Sequence, residues 1–144
     1  MSIDTSSQRS ALMSRVRHSG TALELKVRRE LRSEGVKFKV SGNGLPGSPD
    51  IINPNEKWAI FVHGCFWHGH RLCGLWKLPA TNRVYWRKKF AENRNRDKNV
   101  KRRLRRQGFD VLVLWGCEVK DGTKMKRKIQ RFMSKAGDVR LQKR

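Results

Sequence analysis

Thirteen residues, Phe61 to Cys73, hold three of the chain's four histidines and two of its three cysteines. Cys65, Cys73 and Cys117, with one of His68 or His70, make a Cys3His set. That is a structural zinc sphere with no open position. The bland alternative is three unrelated small buried thiols. Imidazoles not used by zinc, His63 and His68 if the zinc takes His70, can serve as general base or acid near a hydrolytic water. They can equally donate hydrogen bonds to phosphate.

Asp50 follows Gly47-Ser48-Pro49 and opens a strand. A carboxylate there can hold a hard cation such as Mg²⁺. With twelve acids among 34 bases, a salt bridge or a turn is the competing use. Glu24 is accounted for locally by a capping box, Thr21-Ala22-Leu23-Glu24. Phe66-Trp67, with Trp76, Tyr85 and Trp86, are aromatics among basic residues, able to wedge into a base stack. Trp58, Phe61, Phe109 and Trp115 read as core.

The elements that must position these residues follow from periodicity. Leu23, Val27 and Leu31 form one apolar helical face, stopped by Gly35. Val36, Phe38 and Val40 alternate with lysines as a half-buried strand does. Asp50-Ile51-Ile52 and Trp58 to Val62 flank a turn at Asn53–Glu56, which predicts a hairpin carrying Asp50 to the Val62-His63 strand end. A long helix from Thr81 or Asn82 to Arg106 carries twelve Lys and Arg against Glu92 and Asp97. Phe109 to Trp115 is a further strand, and parallel pairing with the Trp58 strand would bring Cys117 to the loop after Val62. Thr123 to Ser134 is the last helix, with Met125, Ile129 and Phe132 inward. The order predicts α/β architecture, a small mixed β-sheet flanked by helices.

The balance of charge narrows the partner. A net charge of +22 on 144 residues demands a polyanion, with nucleic acid first. No stretch approaches the roughly 18 apolar residues that span a bilayer, so no membrane is expected. With no basic-plus-apolar leader and an odd number of cysteines, the expected compartment is cytoplasmic, nucleoid-associated through DNA. Residues 1–20 read as a partly disordered arm, 21–134 as one domain, and 135–144 as a basic tail.

Phe61-Val62-His63-Gly64-Cys65-Phe66-Trp67-His68 resembles the signature of the very-short-patch-repair (Vsr) DNA mismatch endonucleases. Thr21–Glu24, Leu45–Asp50, Pro79-Ala80-Thr81, Tyr85-Trp86, Asn93 with Arg96-Asp97, and Val113–Glu118 add to the likeness, in order along the chain. The resemblance implies a restriction-endonuclease-like fold and Mg²⁺-dependent nicking of double-stranded DNA at T·G mismatches left by 5-methylcytosine deamination. It implies that Asp50 and the Val62 carbonyl hold Mg²⁺, that His68 assists the water with Glu24 in support, and that His63 lies beside them. Phe66, Trp67 and Trp86 correspond to the DNA wedge. Cys65, His70, Cys73 and Cys117 correspond to structural zinc ligands. A monomer acting with other mismatch-repair proteins is the implied setting. Two departures stand out: His70 and Cys73 are one residue further apart than the family's His-x-Cys, and the Val62-His63 strand end has no second carboxylate.

Three rival readings compete. A restriction-type or mobile-element nuclease of the same fold would cut regardless of mismatch. A non-catalytic zinc-stapled DNA-binding protein would satisfy the charge and cysteines but not the Asp50–His68 pairing. An RNA-binding module is weaker still.

Overall fold

The computed structural model of the chain describes residues 21–40, 44–65 and 79–142, with side chains as far as residue 136. The expected N-terminal arm, and His68, His70, Cys73, Phe66, Trp67 and Trp76, lie outside the described residues. Helix α1 (Ala22–Ser33) starts on Thr21, whose hydroxyl accepts the Glu24 amide at 3.2 Å. Gly35, at φ 73°, lets the Val36 amide return to the Leu31 carbonyl. That turn shortens the strand expected from Val36. Its amide is committed to the helix end, and the Lys37 carbonyl accepts from the Asn53 side chain. Pairing therefore begins only at β1 (Lys39–Val40), while Val36 and Phe38 pack on the core.

Strand β2 (Ile51–Asn53) and β3 (Trp58–His63) form the expected antiparallel hairpin, and β4 (Asp110–Trp115) pairs parallel to β3. The sheet order is β1-β2-β3-β4. β3 is apolar from Trp58 to Val62 because both of its faces are covered. Trp58 and Ile60 join Val27, Leu31, Leu114, Met125 and Ile129. Ala59 and Phe61 join Leu104 and Phe109 on the other face. Helix α2 (Arg83–Arg106) is the crossover to β4 and covers that second face.

Two helices follow β4. The short α3 (Gly116–Lys120) went unread in the sequence. The Glu118 carboxylate starts it by accepting the Trp115 amide at 3.0 Å. Lys128 of α4 (Gly122–Gln142) donates to both Glu118 (2.9 Å) and the Val113 carbonyl (3.0 Å). Those contacts occupy polar groups on the outer edge of β4, where an unpaired strand is exposed to unwanted pairing. No helix among the described residues is long and apolar enough to cross a membrane.

The loop before β2 packs closely against α2 at Gly47. Gly47 has φ 70°, and a Cβ there would stand 2.5 Å from Val100 Cγ1. Gly47→Ala meets both a left-handed backbone and a packed neighbour, so it is expected to destabilise by about 2–4 kcal/mol. Urea unfolding checks this, with Gly44→Ala as the control, since Gly44 shares a positive φ but has nothing within 4 Å of its Cβ position.

Candidate active site

Asp50 precedes β2 by one residue, and its amide donates to the Ile60 carbonyl at 3.1 Å, extending the hairpin ladder. Its carboxylate turns to the far strand, where Oδ2 accepts the Val62 amide at 2.7 Å. The hairpin thus brings Asp50 to the C-terminal end of β3, as its sequence position predicted. Within one strand a residue's N–H and C=O point to the same side, so the Val62 carbonyl shares that side of β3.

Glu24 meets Asp50 from α1. It is 3 % exposed. Only the Thr21 half of the expected capping box explains its position: its own carboxylate reaches Arg28 Nη2 at 3.4 Å and Asp50. Burial pushes the Asp50 carboxyl up to about 7. The Val62 amide draws it back, the charge and hydrogen bond of Glu24 push it up again, and Arg28 pulls it down. Two carboxyls this close and this dry resist joint ionisation unless a cation joins them.

His63 ends β3 and is buried between the Phe61 and Trp115 rings, with centroids at 5.5 and 5.4 Å. Asp97 of α2 stands 4.0 Å from its Nδ1. This environment orients the ring; it does not expose it to bulk water.

Cys65 and Cys117 do come together. The Cys117 amide donates to Cys65 Sγ at 3.3 Å, and neither thiol is in a disulfide. Register explains the meeting: His63 pairs with Trp115, and each cysteine lies two residues further on. Among the described residues no group of three or more His, Cys, Asp and Glu forms a metal site.

Trp86, which the resemblance assigns to the DNA wedge, lies on the inner face of α2 in the DNA-free chain. It is 2 % exposed and stacks on Phe90, with centroids 5.8 Å apart. Its neighbour Tyr85 is the exposed aromatic. Sequence reasoning passed over Arg28 and quoted Asp97 among the family-like residues without giving it a role. The four-residue step from Glu24 to Arg28, and the rarity of acids in α2, were the signals available.

A carboxylate pair thus stands at a strand end of an α/β domain whose 24-residue crossover helix carries twelve Lys and Arg. The family model for DNA mismatch endonuclease Vsr matches residues 1–74. The type II nicking enzyme V.XorIIP of Xanthomonas oryzae pv. oryzae is 42% identical over 114 residues, covering 79% of this chain and 83% of the relative. DNA mismatch endonuclease Vsr of Escherichia coli is 37% identical over 117 residues, covering 81% and 74%. The type II nicking enzyme V.NmeAIP of Neisseria meningitidis is 32% identical over 137 residues, covering 95% and 97%. The chain belongs to the Vsr DNA mismatch endonuclease family, and it is a DNA endonuclease.

Proposed function

We propose that this protein nicks one strand of duplex DNA at T·G mismatches arising from 5-methylcytosine deamination, using Mg²⁺. The observation that carries the reading is the Asp50–Glu24 pair at the end of β3, with Asp50 anchored on the Val62 amide. Its support outside the site is the likeness to relatives named as nicking enzymes and as a mismatch endonuclease.

The donor set suits a hard cation. Carboxylate and carbonyl oxygens are what Mg²⁺ takes, and Asp50 is raised chiefly by burial and then by Glu24, costs of ionisation that a bound cation would offset. Asp50 and the Val62 carbonyl would hold the ion, with Glu24 beside it. When bound, Mg²⁺ supplies charge neutralisation at the phosphate and Lewis-acid activation of the attacking water. The chain's own part is positional. The Val62 amide fixes one Asp50 oxygen, so the other is aimed without rotamer loss. The α1 N-terminus and Arg28 fix Glu24. Asp97 orients His63 beside the scissile phosphate. His68 takes the proton of the attacking water.

Phe66 and Trp67 open the duplex at the mismatch, and zinc on Cys65, His70, Cys73 and Cys117 shapes the loop that carries them. The adjacent Cys65 and Cys117, from parallel strand ends, favour that staple. The catalytic unit is residues 21–134, with a restriction-endonuclease-like arrangement of the mixed sheet, acting as a monomer alongside other mismatch-repair proteins.

The test is nicking of a panel of duplexes, T·G, other mismatches and fully paired, with and without Mg²⁺. T·G duplexes are expected to be cut at least about tenfold faster than paired ones. Equal cutting of paired DNA would favour a mismatch-independent nuclease, and no cutting of any duplex would leave only a DNA-binding protein.

A further inference from the structure

The C-terminal third of α2 has a charge distribution that catalysis does not use. From Lys98 to Arg106, six of nine residues are Lys or Arg and none is acidic. Among the described residues, Lys98, Lys101, Arg102, Arg105 and Arg106 line a cleft of about 550 Å³. Steps of three and four residues place them along one flank of the helix. Val100 and Leu104, between them, pack into the core and hold that flank in place.

These cations repel one another. Burial lowers the Lys101 pKa, and Arg105 and Lys128 lower it further, with Asp97 as the opposing attraction. Among the described residues no carboxylate lies in salt-bridge range of any of the five. The helix's C-terminal dipole favours cations only weakly, too little to offset a cluster of this size. An isolated solvated surface gains nothing from such crowding; a surface facing a polyanion does.

Its position separates it from the site of cutting. Asp97, against His63, marks where the helix passes the C-terminal end of β3. Arg105 stands about 12 Å further along at 1.5 Å per residue. The helix end there lies by the start of β4, where the Phe109 amide bonds Leu104 and the Asp110 amide bonds Lys57. That is the opposite end of β3 from Asp50. Duplex DNA carries a charge every 1.7 Å or so, about seven over such a span.

We propose that this cleft is a second duplex contact, gripping backbone phosphates in the flank on one side of the scissile bond. The inference rests on the Asp50–Glu24 end being where DNA is cut. It assigns the patch to affinity and to positioning along the duplex, with no reading of bases.

The test compares binding, in chelator, of a short T·G duplex with duplexes extended on one side or the other. Wild type is expected to bind one extension about tenfold more tightly, with a steeper salt dependence. K101E/R105E should lose that gain and reduce the salt slope by about 2, near 1 per lost phosphate contact. It should keep the short-duplex affinity and the nicking rate at saturation within about twofold. K101Q/R105Q, less disruptive to the helix, should show an intermediate loss, and circular dichroism confirms that both variants fold. If the variant matches wild type on every duplex, the patch is ordinary solvated surface and the proposal fails. If it loses affinity equally on short and long duplexes, the patch belongs to the catalytic contact and the proposal also fails. Nicking is read separately, so failure to cut T·G DNA would overturn the proposed function without obscuring the flank effect.

Discussion

Asp50→Asn should abolish nicking while making the metal-free protein more stable above neutral pH. The two effects share one cause. Asn keeps an oxygen for the Val62 amide, so the hairpin geometry survives. It removes the charge that a cation needs, and losing several kcal/mol of transition-state stabilisation is a fall of about three orders of magnitude or more in rate. The stability change follows from the carboxyl pair. The folded Asp50 carboxyl is raised from 3.8 to about 7, chiefly by burial and then by Glu24. The folded state therefore holds this proton more tightly than the unfolded chain does. Its stabilising contribution is complete below about pH 4 and is lost as pH rises to about 7. Asn has no such loss. Denaturant unfolding in chelator at pH 5 and pH 8 should show the variant gaining about 1–3 kcal/mol on wild type between the two values, a figure reduced for the partial exposure of Asp50. Taking the difference between the two proteins cancels the pH response of the remaining charges. A wild-type enzyme as stable at pH 8 as Asp50→Asn, relative to pH 5, would contradict the strained pair. A fully active variant would remove Asp50 from the chemistry.

The same pair shows where a sequence is legible. The hairpin was readable because an apolar run, a turn and a second apolar run admit one arrangement, and that arrangement carries Asp50 to Val62. The meeting of Cys65 and Cys117 was readable because a long helix between two apolar strands implies a parallel crossover. Glu24 was harder. Its local pattern was a complete explanation, yet the carboxylate is used at long range, toward Asp50. Local motifs state what a residue can do near itself and are silent on what packs over it. The packing of Trp86 was hidden for a related reason. An aromatic in a basic helix looks exposed until the helix face is assigned, and only packing with Phe90 assigns it. The early strand was cut short by a competition invisible in alternation alone: the Val36 amide had a nearer partner in the Leu31 carbonyl.

Cys117→Ser tests the other half of the site, the proposed zinc staple, and its expected effect is nearly as large. Serine changes size little, so if Cys117 were simply a small residue at a strand end, the cost would be near 1 kcal/mol with no change in metal content. A zinc ligand behaves differently, because the free energy of binding is also free energy of folding for the loop it closes. Zinc should fall from about one per chain to near none, and stability by about 3 kcal/mol or more. Nicking should fall with it, since the loop after Cys65 carries His68 and the Phe66-Trp67 pair. The geometry favours the larger outcome. Parallel strands in register bring two cysteines far apart in sequence together, and the Cys117 amide already donates to Cys65 Sγ at 3.3 Å. That hydrogen bond fixes the position of the Cys65 sulfur beside Cys117. Metal analysis of the purified variant decides between the two, and parallel assays on His70→Ala and His68→Ala identify the histidine. Loss of zinc with His70→Ala and retention with His68→Ala would leave His68 for the water. The reverse pattern would move the staple onto His68, absorb the extra residue between His70 and Cys73 as slack in the loop, and leave His63, held by Asp97, as the remaining imidazole at the carboxylates.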